Sequence, residues 1–135
     1  MAFVLDASVS LAWAFPDEGS PFADRAASIL QTGQETAFVP DFWWYEIRNI
    51  LLVGERRGRI READTALFLR QMAELRIELD SVRIDTATIT LARKHNLAFY
   101  DAAYLALAIR EQLPLATLDK KLEAAARAEA VEIVA

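Results

Sequence analysis

Apolar residues fall along the chain in two alternating textures. Short runs at 2–5, 36–39 and 115–118 are apolar throughout or nearly so and predict buried strands. Longer stretches repeat their apolar positions every three or four residues and predict helices. The first run ends at Asp6 and gives way to a helix over 7–15, broken by Pro16 and Gly19. Ser20 followed by Pro21 reads as a helix cap with proline at the first helical position. Phe22, Ala26, Ile29 and Leu30 then share one face until Gly33 stops the helix. After the second strand, Pro40 and Asp41 open a third helix to about residue 57. Gly58 turns the chain into a fourth helix over 61–75. A weak strand is predicted at 76–79. Asp85 caps a helix to residue 94, with Asn96 suited to the turn that follows. Residues 100–110 are apolar on nearly all sides, which predicts a central buried helix. Pro114 precedes the strand at 115–118, Asp119 starts a helix to about 129, and 131–134 reads as a last strand. Strands alternating with crossover-length helical segments specify an α/β fold, a mostly parallel sheet covered by helices on both faces.

Composition narrows the class. The chain has 135 residues, enough for one domain over 1–135 that buries roughly two-thirds of its unfolded surface. Its apolar fraction of 54% is high, which suggests a full core and an apolar patch left for a partner. There is no cysteine, so disulfides and thiolate metal sites are excluded. The start lacks a basic segment and Asp6 interrupts its apolar run, unlike a signal peptide. No apolar run reaches the roughly 18 residues of a membrane span, so no membrane partner is expected and a cytoplasmic protein is the expectation. The net charge of −5 argues against coating nucleic acid through a broad basic surface. It leaves room for an enzyme that binds RNA in a small cleft, and buried carboxylates would themselves lower the charge.

The chemistry gathers at element junctions. Asp6 follows the first strand, Asp119 follows the strand at 115–118, and Asp101 opens the apolar helix. In an open parallel sheet the carboxyl ends of the strands share one edge, and ligands bind in the crevice outside it. Taken singly, each aspartate is also a good helix cap that complements the helix dipole. Glu46 is harder to place that way. It lies about a turn and a half into the third helix, among Phe42, Trp43, Trp44, Tyr45, Ile47, Ile50 and Leu51, in what reads as a largely buried stretch. Four acids at one edge would raise each other's pKa unless a cation neutralised them. Mg²⁺, which takes oxygen ligands and keeps several waters, suits that task.

These residues carry a resemblance. Val4, Leu5, Asp6, Ala7 and Ser8 resemble the first acidic motif of PIN-domain ribonucleases of the VapC toxin type. Glu46, Ile47, Arg48 and Asn49 resemble the second, and the run from Tyr100 and Asp101 through Tyr104 to Ala108 the third, the most specific match. Ala116, Thr117, Leu118, Asp119, Lys120, Lys121 and Leu122 resemble the fourth. One departure is Glu129 and Ala130 before the last strand, where such proteins often have a glycine. The resemblance implies a three-layer α/β/α sandwich in which Asp6, Glu46, Asp101 and Asp119 are catalytic and hold one or two Mg²⁺ or Mn²⁺ ions. The metal would lower the pKa of a water and aim it at an RNA phosphodiester. Ser8 and Thr117 would bond a carboxylate or a water, or else make local backbone bonds near a helix start. Asn49, one turn from Glu46, would support it, or make a plain core hydrogen bond. The implied partners are an RNA substrate, a cognate antitoxin and a second copy in a homodimer.

Other features weigh less. His95, the only histidine, sits near a helix end, where a dipole-favoured surface position is the expectation. One histidine and no cysteine disfavour Ser-His and Cys-His mechanisms. The aromatic run 42–45 suits core packing or a dimer interface better than base stacking. Arg56, Arg57, Arg59 and Arg61 surround Gly58 at a hairpin tip, a solvated turn or a docking point for RNA or a partner. The competing readings are a metal-dependent phosphatase or nucleotidase using the same crevice, and a non-catalytic interaction module. A dehalogenase-type phosphatase would want a second aspartate where this chain has Ser8, and no phosphate-cradling glycine loop is present.

Overall fold

The computed structural model describes residues 2–134. Strand β1 (Ala2–Leu5) is short and covered on both faces: Phe3, Val4 and Leu5 are all buried. Central strands of parallel sheets have this continuous apolar character because helices cover both sides. β2 (Thr36–Pro40) pairs with β1 in register Phe3 to Ala37, and β3 (Ile77–Asp80) pairs with β2 in register Val39 to Leu79. β4 (Leu115–Ala116) lies on the other side of β1, Leu5 opposite Ala116. The sheet order is β3-β2-β1-β4, all parallel.

The helices are α1 (Ala7–Ala14), α2 (Pro21–Gln31), α3 (Phe42–Arg56), α4 (Glu62–Ala73), α5 (Asp85–His95), α6 (Phe99–Glu111) and α7 (Lys120–Ala128). A 3₁₀ turn at Pro16–Glu18 ends the first of them. Helices α1, α2 and α3 form one packed group. α5, α6 and α7 form another, with α6 lying across β1, β2 and β4. The result is an α/β/α sandwich. Ser20 caps α2 as its sequence predicts, accepting from the Ala23 amide at 3.0 Å. Gly54 is where α3 meets Phe15: a Cβ there would lie 2.7 Å from the ring. α6 is central but not covered throughout. Tyr104, Leu105 and Ala108 are buried, whereas Phe99 and Tyr100 at its start are exposed.

Three expectations are corrected. The strand at 115–118 stops after Ala116, because Thr117 and Leu118 turn toward the site. Residues 131–134 do not form a full strand. They make one bridge, Leu115 to Ile133, supported by bonds from the Leu115 amide to Glu132 and from the Val134 amide to Leu115. β4 is too short to template a longer partner. His95 is not a surface residue: its side chain is 12% exposed and Nε2 lies 2.6 Å from Glu129. Among the described residues no helix is long and apolar enough to cross a membrane.

Candidate functional site

The strand order dictates where a site can form. From β1 the chain moves outward through β2 to β3, then returns to place β4 on the opposite side of β1. The connections leaving β1 and β4 therefore diverge, and a crevice opens at their carboxyl ends. Asp6 is the first residue after β1. Its amide donates to the Ala116 carbonyl at 3.0 Å, which holds the carboxylate beside the end of β4. Asp6 is only 5% exposed. It does not cap α1 through its side chain. Its Oδ2 instead accepts hydrogen bonds from the Ser8 hydroxyl at 2.6 Å and the Thr117 hydroxyl at 2.8 Å.

Ser8 and Thr117 also tie the two chain segments together. Ser8 Oγ accepts from the Leu118 amide at 2.9 Å, and Thr117 Oγ1 from the Asp119 amide at 3.0 Å. The two hydroxyls lie 3.4 Å apart. Each hydroxyl thus holds a backbone amide and orients a carboxylate; the amide is local for Thr117, whereas the one on Ser8 lies 110 residues away on the segment after β4. Asp119 does serve as a cap. Its Oδ1 accepts from the amides of Lys121 and Leu122 at the start of α7, at 2.9 and 3.1 Å. That leaves Oδ2 without a hydrogen bond from the described residues.

Asp101 sits in the first turn of α6 and makes no side-chain hydrogen bond among the described residues. Glu46 projects from α3, half-buried, and its Oε1 accepts from the Tyr104 hydroxyl at 3.1 Å. The stretch around Glu46 is less buried than its composition suggests: Trp43 is covered, but Trp44 and Tyr45 are exposed. Asn49 is exposed and, among the described residues, makes no side-chain hydrogen bond, to Glu46 or to any other group. The partner of Glu46 is Tyr104, which sequence reasoning did not single out. The signal was present in its position three residues after Asp101, on the same side of the helix.

Electrostatics bind the four acids into one group. Burial pushes the Asp6 carboxyl above its ordinary range, against the lowering bonds from Ser8 and Thr117, and Asp101 and Asp119 push it further. Glu46 is raised by burial, against the Tyr104 hydrogen bond, and then by Asp6 and Asp101. Asp101 is raised by burial and by Asp119, while Lys121 opposes the shift. Among the described residues none of the four forms an ion pair. Also among the described residues, no three acidic or imidazole side chains are arranged to hold one metal ion directly between them. The donor set is oxygen only, carries four formal negative charges and has unshared oxygens on Glu46, Asp101 and Asp119. It fits a hydrated divalent ion that keeps several waters, not a closed protein cage.

An open parallel α/β sandwich with an acidic cluster at its switch point is the class these observations define. A family model described as PIN domain matches residues 3–128, and the chain belongs to that family. It is 36% identical over 126 residues to Ribonuclease VapC3 of Pyrobaculum aerophilum, covering 90% of this chain and 92% of that one. Its fold is similar to the crystal structure of PAE2754 from the same organism, with a TM-score of 0.69, 24% identity, and coverage of 93% of this chain and 84% of that chain.

Proposed function

We propose that this protein is a metal-dependent endoribonuclease, the toxin of a toxin–antitoxin pair, with Asp6, Glu46, Asp101 and Asp119 as its catalytic carboxylates. One observation carries the reading. Carboxylates from four separate elements gather around the buried Asp6 at one sheet edge, and among the described residues none of them forms an ion pair. Like charges gathered without a counterion mark a functional site more often than a structural one. The kinship with a ribonuclease of the VapC group supports RNA as the substrate. Mg²⁺, or Mn²⁺, held by these acids would supply a water of lowered pKa and offset charge on the leaving oxygen.

The chain's own groups would do the rest. Ser8 and Thr117 hold the Asp6 carboxylate in one orientation. Asp119 is fixed through Oδ1 by the first amides of α7 and presents Oδ2. Lys121, exposed and near enough to Asp101 to lower its pKa, is placed to meet a substrate phosphate. Asn49 is free to contact RNA or a water at the rim. The exposed apolar side chains, among them Trp44, Tyr45, Leu79, Val82 and Phe99, support a homodimer and a docked antitoxin segment. A cytoplasmic location belongs to the same proposal.

The test is cleavage of total RNA by purified protein with Mg²⁺ or Mn²⁺, with EDTA, and in parallel with a chromogenic phosphate monoester. The expected result is RNA cleavage abolished by chelator and no monoester hydrolysis. Undiminished cleavage in EDTA would end the metal mechanism; monoester turnover without RNA cleavage would move the assignment to a phosphatase.

A further inference from the structure

Tyr104 is 1% exposed, the bulkiest of the fully buried side chains, yet its hydroxyl is spent on the site rather than on the core. We propose that Tyr104 is a positioning residue for Glu46: its hydroxyl engages Oε1 and so commits Oε2 to the acidic crevice. The inference rests on the metal-site reading above and extends it to a residue outside the carboxylate set.

The geometry comes from two helices in fixed register. Phe42 and Glu46 are one turn apart on α3, and Tyr100 and Tyr104 are one turn apart on α6, so each pair shares a helix face. Phe42 meets Tyr104 edge-on, with ring centroids 5.5 Å apart and planes at 86°. It meets Tyr100 at 5.1 Å and 71°. The Tyr104 ring is thereby clamped, and its hydroxyl reaches Glu46 at 3.1 Å.

Glutamate has three side-chain torsions and costs considerable rotamer entropy to hold still. Among the described residues Glu46 makes no other side-chain hydrogen bond, and Asp6 and Asp101 lie near enough to disfavour its charge. Without the hydroxyl, the carboxylate would swing toward solvent. A tyrosine suits the task because burial and the neighbouring Glu46 keep its own proton firmly attached, so it remains a donor. A buried tyrosine also needs a partner simply to satisfy its hydroxyl. A purely structural role would make Tyr104→Phe change stability and nothing else.

Three proteins decide between these roles: Tyr104→Phe, Glu46→Gln and the double variant, each checked for fold by circular dichroism. Mn²⁺ affinity, read without RNA from the free-ion paramagnetic resonance signal, should fall about 10-fold in Tyr104→Phe, the order found when a metal ligand loses its outer partner. In the Glu46→Gln background the same change should cost almost nothing, because the hydroxyl acts through the carboxylate. In metal-free protein at fixed pH, the Glu46 side-chain carboxyl ¹³C resonance should move in Tyr104→Phe more than those of Asp6 or Asp101. Unchanged Mn²⁺ affinity with an unmoved Glu46 resonance overturns the proposal, as does a full 10-fold loss persisting in the Glu46→Gln background. Wild-type protein that binds no Mn²⁺ overturns the metal reading alone, and the carboxyl resonance still decides the positioning role.

Discussion

Two acidic regions of this molecule solve the problem of a covered carboxylate in opposite ways. At the seam between α5 and α7, Glu129 meets Lys94 at 2.7 Å and His95 at 2.6 Å, and these partners hold its carboxyl below the ordinary range. At the switch point, Asp6 is more deeply covered and among the described residues hydrogen-bonds only neutral hydroxyls through its carboxylate; burial, and then Asp101 and Asp119, hold that carboxyl above the ordinary range. The first region is electrostatically complete within the chain. The second has no ion-pair partner among the described residues, as the cation proposed above would require. Substitution of a carboxylate by its amide should therefore have opposite consequences in the two places.

The largest effect is on activity. Asp6→Asn and Asp101→Asn should each lower RNA cleavage by more than about 100-fold, beyond the cost of losing a mere outer partner of a metal ligand. The melting temperature of the metal-free protein should hold or rise, since a buried charge without a counterion has been removed. A folded Asp101→Asn variant with normal turnover would break the comparison at its centre. Next in size is the response to metal. Mg²⁺ at about 100 times its Kd should stabilise the wild type by about 2.7 kcal/mol, a rise of about 5 °C or more for a domain of this size. Asp6→Asn should show little of that rise, and Glu129→Gln all of it; thermal melts at increasing Mg²⁺ measure both.

Smaller, and opposite in sign to the Asp6 change, is the effect of Glu129→Gln on stability: a loss of about 0.5–1 kcal/mol in urea unfolding at neutral pH. The pH dependence separates the regions further. The lowered Glu129 carboxyl contributes stability above its unfolded pKa, and that contribution is lost as pH falls through its lower folded value. The raised Asp6, Glu46 and Asp101 carboxyls cost stability above their folded pKa values, and that cost disappears as pH falls toward the ordinary carboxylate range. Metal-free protein should thus gain stability on mild acidification, before Glu129 is protonated. Asp6→Asn should flatten that gain, and Glu129→Gln should leave it in place.

The same contrast explains which features were legible in the sequence. Strand–helix alternation gives the sheet and its layers because it depends on local apolar runs, as at Phe3 to Leu5. Asp6 and Asp119 were legible because strand ends and helix starts have their own residue chemistry, whereas Ser8 and Thr117 entered through the family resemblance. Tyr104 was hidden because an apolar helix disguises a hydroxyl as core; only the packing of α3 on α6 shows what it touches. His95 and Glu129 lie 34 residues apart, and nothing local links them. The exposure of Trp44 and Tyr45 was missed for a related reason, since an aromatic run has no polar face from which to read its orientation.

The last predicted effect lies beside Glu129, is no larger than that of Glu129→Gln, and concerns backbone rather than charge. Helix α7 ends with the Ala130 amide bonded to the Arg127 carbonyl at 3.1 Å and the Val131 amide to Ala126 at 2.8 Å. These two bonds define a Schellman turn, whose central residue is left-handed and usually glycine. Here it is Ala130, with φ of 60°. α5 and α6 also end left-handed, at Asn96 with φ of 52° and Gln112 with φ of 56°. Asparagine tolerates that region through its short polar side chain, whereas alanine has no such relief. A left-handed alanine costs about 1–2 kcal/mol, while glycine adds about 0.4–1 kcal/mol of chain entropy to the unfolded state. Ala130→Gly should therefore stabilise the protein by about 0.5–1 kcal/mol, with RNA cleavage and Mg²⁺ response unchanged. A matching Asn96→Gly should gain less. Urea unfolding of both variants measures the difference; a destabilised Ala130→Gly would mean that the seam holds this turn without strain, and that its charge pairing is not its only completed feature.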